Sequence, residues 1–409
     1  MKKLLAILLC ALLFSACSCC LPALADDLAD ECKIYHAEKG RLDYLTDHDD
    51  ATGVLLREAD EHVLEIRPGA TPVASLSLVM GHDILPFTVQ TQDADGCWKV
   101  IAEVTDTDYA QRYVSFPAQS KLFRLVFAGE EPAALSLREV YLFAENQVDP
   151  ELAHDWQTSC DKADIMTIVA HPDDELLWFG GTIPYYAGQQ GLKVQAVYMT
   201  CSDYQRRIEL LNGLWHCGVR NYPEIAWKTD RKDSDMDATY YIWGRDKTCA
   251  YLVSLLRRYR PEVVVTHDVN GEYGHSQHLA TSDAVYQAVL KASDPDYDPE
   301  SAERYGIWQV KKLYRHMGKD AGTIMDYDQP LSAFDGKSAY TVAKEAFDMH
   351  ITQHETGHWR VPGAGDPYDS TRYTLAFSTV GDDVLGNDML ENIPPETLSN
   401  YSVEGDDGQ

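Results

Sequence analysis

Two patterns predict a multidomain protein: an N-terminal antiparallel β-sandwich, then an α/β domain built on a Rossmann-like parallel sheet. The first is a series of short segments of alternating apolar and polar residues between Asp26 and Pro150. The second is a pair of continuous apolar runs, Ile165-Met166-Thr167-Ile168-Val169-Ala170 and Val263-Val264-Val265-Thr266. Each reads as a strand buried on both faces, and each stops at a histidine. At 409 residues the chain has room for two or three domains.

Residues 1–25 carry Lys2-Lys3, an apolar run from Leu4 to Phe14 and Ala23-Leu24-Ala25. That is a secretory signal cleaved near Ala25, too short and wrongly flanked to span a bilayer. The alternative takes Phe14-Ser15-Ala16-Cys17 as a lipoprotein box that anchors the chain through Cys17. No other segment is apolar enough for a transmembrane anchor. Six of the ten cysteines follow the signal: Cys32, Cys97, Cys160, Cys201, Cys217 and Cys249. In an exported protein an even number permits up to three disulfides, and none has paired zinc-ligand spacing. Acidic residues outnumber basic ones 65 to 35, for a net charge of −30, which excludes nucleic acid and anionic membranes as partners.

The sandwich occupies 26–150. Its strands are predicted at 63–66, 73–79, 87–91, 98–102, 113–116, 122–127 and 135–143, with turns such as Asp95-Gly96 between them. A polar linker, 151–160, follows Glu145 to Pro150. The domain at 161–409 alternates strands and helices: a strand at 164–170, a helix through Gly188, a strand at 194–199 and a helix from Tyr204 to His216. Next come a strand near Ile225, a long helix to Tyr259, a strand at 262–266 and a helix after His278. This alternation predicts a doubly wound parallel sheet with ligands at its carboxyl edge. Residues 404–409 are predicted to be disordered.

Both histidine-bounded ends are rich in metal-ligand types. The first reads His171-Pro172-Asp173-Asp174-Glu175, and Pro172 disfavours helix for its predecessor. Asp173 and Asp174 are adjacent and cannot both aim at one point, so one can ligate while the other faces water. Helix capping favours the same acidic first turn without any chemistry, but a second cluster at a second strand end argues for a site. That cluster is His267-Asp268-Val269-Asn270-Gly271-Glu272-Tyr273-Gly274-His275-Ser276-Gln277-His278, where His275 and His278 share the spacing of a helix start. His354-Glu355-Thr356-Gly357-His358 matches a zinc-protease helix, but Gly357 should end the helix from Tyr340 and break the one-turn geometry.

Ala170-His171-Pro172-Asp173-Asp174-Glu175 with Gly274-His275-Ser276-Gln277-His278 resembles the PIG-L/LmbE-like zinc de-N-acetylases, the hydrolase family of the glycosylphosphatidylinositol-precursor and mycothiol-precursor deacetylases. Arg206-x-x-Glu209 and Tyr259-Arg260-Pro261-Glu262 add to the likeness, which covers roughly 161–360. It implies an exported deacetylase that cleaves the acetamide of an N-acetylated amino sugar or glycoconjugate. Zn2+ would be held by His171, Asp174 and His278, with Asp173 as base, a protonated His275 and Tyr273 at the oxyanion, and Arg206 on the substrate. The family's second motif often reads His-Pro-Asp-His; here Gln277 replaces its Asp, which should lower the basicity of His275. Asp47, His48, Asp49, Asp50 and Thr52, with the later Glu139, resemble the discoidin-like, galactose-binding sandwich, though His48 stands where that family has Gly. This second likeness implies glycan binding by the sandwich and a structural Ca2+ on Asp47, Asp49, Thr52 and Glu139. Two other readings stay open: a zinc amidohydrolase for an acylated amino acid, lipid or antibiotic, and a non-catalytic glycan-binding surface protein.

Overall fold

The computed structural model describes residues 27–400 except 146, 232, 319–320 and 355–358. The signal, Cys17, the tail from 401 and most of the His354-to-His358 motif lie outside the described residues.

Residues 33–143 form two antiparallel sheets. One runs, in spatial order, Gly40–Arg41, Lys33–His36, His62–Arg67, Phe123–Phe127, Phe87–Gln92 and Trp98–Val104. The other runs Val54–Ala59, Ala133–Phe143, Val73–Met80 and Gln111–Gln119. Alternation decides which side is buried: Leu64 and Ile66, Phe123 and Leu125 point inward while Glu65 and Arg124 do not. Leu56, Leu76 and Leu137 of the second sheet join them in one core.

The second part is a seven-stranded sheet in the order Glu224–Lys228, Val194–Thr200, Ile165–Val169, Val263–Thr266, Lys312–His316, Arg372–Ser378, Thr323–Ile324. The first five are parallel. Arg372–Ser378 runs against them and pairs antiparallel with both Lys312–His316 and Thr323–Ile324, so the expected all-parallel sheet is a mixed one. The edge explains this: Arg372–Ser378 is largely only half-buried, and antiparallel pairs tolerate one wet face better than parallel ones. The chain builds outward from Ile165–Val169 first to one side and then to the other. That reversal opens a crevice at the carboxyl ends of Ile165–Val169 and Val263–Thr266, where both motifs lie.

Other boundaries also moved. The long helix is two, Met236–Trp243 and Arg245–Tyr259, split at Gly244 with φ 77°. The helix expected from Tyr340 spans Ala339–Asp348, and His354 closes a separate short helix, Ile351–His354. The stretch 151–160 is a packed joint, with His154, Trp156 and Cys160 buried. Gln111 of the sandwich sits opposite it: its Oε1 accepts from Trp156 Nε1 (3.0 Å) and pairs with His154 Nδ1 (2.7 Å), while its amide donates to Asn212 Oδ1 (2.6 Å). All six cysteines are free. Cys32 lies in the sandwich core, Cys160 and Cys249 lie on one side of the mixed sheet and Cys201 and Cys217 on the other, while Cys97 is exposed.

Candidate active site

His171 follows the buried strand Ile165–Val169, and its backbone N–H and Nδ1 both lie against Asp174 Oδ2, at 2.7 and 3.0 Å. The next element, Asp174–Leu177, is a single helical turn, and Asp173 enters it at φ 107°. This left-handed conformation is costly for a residue with a Cβ, and such strain is held where the surroundings require it. It turns the two neighbouring carboxylates apart. Asp174 Oδ1 accepts from Trp178 Nε1 at 2.7 Å and lies 3.3 Å from His278 Nε2. Asp173 instead faces Arg206, whose NH2 is 3.2 Å away.

His278 arrives on the helix Ser276–Lys291, with Nε2 3.2 Å from His171 Nδ1. His171, Asp174 and His278 therefore converge with donor atoms 3.0 to 3.3 Å apart. Two imidazoles and a carboxylate fit zinc in a hydrolytic site. His275 is the residue before that helix; it completes a second three-donor group with His171 and His278, and its Nδ1 is buried without a partner. Tyr273, 44% exposed, stands at the mouth with its ring 5.0 Å from Trp359 and 5.7 Å from His275.

Charges follow from burial. Burial, only partly offset by Arg206, pushes the Asp173 carboxyl up to about 7. Burial and the flanking His171 and His278 push His275 down to about 3, so it is neutral rather than protonated as expected. The reason is its company, not Gln277: the Gln277 side chain goes to His171 Nε2 (2.6 Å) and Thr229 O (3.0 Å). Arg206, expected on the substrate, places its NH2 against Asp173 and the Pro172 carbonyl, while its Nε is buried without a partner.

Sequence reasoning missed Glu272 as an organiser of the site. Its fully buried carboxylate lies 2.7 Å from His278 Nδ1, 3.1 Å from His267 Nδ1 and 3.2 Å from His316 Nδ1, and accepts from Asp268 N–H at 3.0 Å. Glu272 has φ 54°, a second strained non-glycine residue. His267 completes a three-donor group with Asp174 and His278. Yet its Nε2 accepts from Ala170 N–H at 2.9 Å, which keeps the ring neutral and takes the lone pair a metal would need. Only the loop Gly271–Gly274 brought close to the strand Lys312–His316 exposes this arrangement.

Of the residues expected to hold calcium, Asp47, Asp49 and Thr52 sit on one acidic loop. Thr52 Oγ1 bonds Asp47 Oδ2 (3.1 Å) and Asp47 Oδ1 accepts from Asp49 N–H (3.1 Å), so the acidic loop closes on itself. Glu139 is buried beside the same loop, and burial, with Asp50 and Asp47 close by, raises it to about 8. Among the described residues, groups of three His, Cys, Asp or Glu donors form only at the two strand-end motifs. His48 adopts φ 60°, the conformation expected of the family's glycine.

The family model described as PIG-L: GlcNAc-PI de-N-acetylase matches residues 166–289. The 1D-myo-inositol 2-acetamido-2-deoxy-alpha-D-glucopyranoside deacetylases 1 of Catenulispora acidiphila and Frankia alni are 29% and 31% identical, over 37% and 36% of this chain. The matches cover 54% and 59% of those proteins, so the chain spans little more than half their length. The solved N,N'-diacetylchitobiose deacetylase of Pyrococcus horikoshii is 20% identical over 49% of this chain and 74% of its own, with a TM-score of 0.38. Both strand-end motifs fall inside the matched stretch, and residues 166–289 form a PIG-L domain.

Proposed function

We propose that the chain is an exported, zinc-dependent de-N-acetylase that hydrolyses the acetamide of an N-acetylated amino sugar or glycoconjugate to amine and acetate. One observation carries this: three zinc-type donors converge beside a separate carboxyl, Asp173, whose ionisation sits near 7. The relatives' names, deacetylases of acetamido sugars, support the substrate class. Discoidin-like glycan binding by the sandwich belongs to the same proposal, and calcium does not.

His171, Asp174 and His278 would hold the zinc. When bound, zinc supplies Lewis acidity for the amide carbonyl and for a water. Asp173 takes the proton from the attacking water, a role suited to a base whose pKa matches the working pH. Arg206 fixes the direction of that carboxylate and keeps it ionisable. His275, neutral and facing the same space, donates a hydrogen bond to the carbonyl oxygen as negative charge develops there. Tyr273 lines the mouth beside it. Asp173 then returns its proton to the departing amine, leaving the site ready for another cycle.

Acetate and amine release by the zinc-loaded chain, tested against N-acetylglucosaminides and N-acyl amino acids, decides among the readings. Release from the sugars is the expected result. Release from the acyl amino acids alone would make it a different amidohydrolase. Sugar binding without release from either would leave a glycan-binding protein.

A further inference from the structure

Beside the metal-type site, a cleft of about 370 Å³ opens where the sandwich meets the outer edge of the mixed sheet. Its floor is Arg207, whose side chain is only 4% exposed. One guanidinium nitrogen pairs with Asp83 of the sandwich, and Nε and NH2 are buried without partners. Above Arg207 stand two rings, Tyr204 at 5.0 Å and Trp227 at 5.7 Å from the guanidinium carbon. They remain 40% and 50% exposed. His82 of the sandwich braces Tyr204 edge-on, with ring centroids 4.3 Å apart.

Trp227 is held there at some cost. It has φ 49°, at a register shift between Val194–Thr200 and Glu224–Lys228. A bulge re-aims a side chain, and a strained non-glycine residue marks a place that the surroundings over-determine. Polar groups line the cleft, and its cations are matched: Arg207 by Asp83, and Arg258 by Glu224 at 3.1 Å, with Asp108 a further carboxylate on the wall. An anion gains nothing there. Flat apolar faces beside fixed donors and acceptors suit a neutral, hydroxyl-rich ring.

The cleft is also near the reaction. Arg207 follows Arg206, which touches Asp173. Trp227 precedes by three residues Asp230, whose Oδ1 is 3.7 Å from His171 Nε2. Three extended residues span at most about 10 Å. We propose that this cleft binds the further sugar units of the glycan whose N-acetylated unit lies at His171, Asp174 and His278. The inference rests on the deacetylase reading and gives the substrate a direction, from the metal-type site toward the sandwich.

Two measurements on the full, zinc-loaded chain test it. The first compares kcat/KM for triacetylchitotriose with that for N-acetylglucosamine, in wild type, Trp227→Ala and Trp227→Phe. The trimer's advantage should fall tenfold or more in Trp227→Ala and return in Trp227→Phe. An advantage equal in all three overturns the subsite. The second titrates triacetylchitotriose calorimetrically into wild type and Trp227→Ala, which needs no turnover. Binding should weaken at least tenfold. No binding to wild type, or equal binding to both, overturns the proposal. Trp227-dependent binding without turnover of either sugar upholds the cleft as a glycan site and refutes the deacetylase reading instead. Trp227 is half exposed, so its truncation leaves the core intact.

Discussion

Replacing Glu272 with Gln removes one charge from the centre of the site while keeping its volume. The native carboxylate serves three imidazoles, at 2.7, 3.1 and 3.2 Å, and one backbone N–H at 3.0 Å. Those partners, His267 first among them, outweigh burial and hold it well below the usual carboxylate range. An amide offers one oxygen in place of two, so at least one imidazole loses its acceptor. His278 has the shortest contact and the most to lose: with Nδ1–H held by Glu272, its Nε2 is left pointing at His171 and Asp174. Partners of this kind contribute about 10–100-fold to metal affinity, which corresponds to roughly 1.4–2.8 kcal/mol. Competition with a chromophoric chelator should show zinc affinity falling by that factor in Glu272→Gln. A dissociation constant within about twofold of wild type would refute the positioning role, because that fold-change lies below one-third of a power of ten.

Further expectations follow from the same geometry. Asp174→Ala and His278→Ala should lose zinc, whereas His275→Ala should keep it and lose about 10²–10³-fold in kcat, the usual cost of an oxyanion donor; metal analysis beside kinetics would expose His275 as a ligand if it fails. Arg206 lowers the ionisation of Asp173, so Arg206→Met should raise it and move the acid limb of the pH–rate profile upward by about 1–3 units. A stationary limb would detach Asp173 from the rate. Deleting 27–144 should expose Ile208, Trp156 and Tyr222, which now pack against Tyr141, Gln111 and Tyr109, and lower Tm by about 2–4 °C for each kcal/mol lost. An unchanged Tm would mean that the two parts are energetically independent.

Where local chemistry decides, the sequence was enough. The helix Tyr204–His216 has the bounds expected of it, and its start is fixed locally, where Asp203 accepts from Arg206 N–H at 3.0 Å. The strand ending at His171 was legible as a buried run stopped before Pro172. Val54–Ala59 was missed because Arg57 and Glu58 interrupt its alternation. Lys312–His316 and Arg372–Ser378 were not read as strands at all, and the direction in which the second pairs has no local signal. The partners of Gln277 and Glu272 depend on loops meeting across the sheet, which spacing along the chain does not encode. Neither does the crowding of imidazoles that leaves His275 neutral.

The central claim is that the ligands and the base are different neighbours in Asp173-Asp174. Zinc content and acetate release measured on the same sample of Asp173→Asn test it directly. The account predicts one zinc per chain, as in wild type, and no acetate from an N-acetylglucosaminide. Wild-type turnover in that variant, or loss of its zinc, would contradict it.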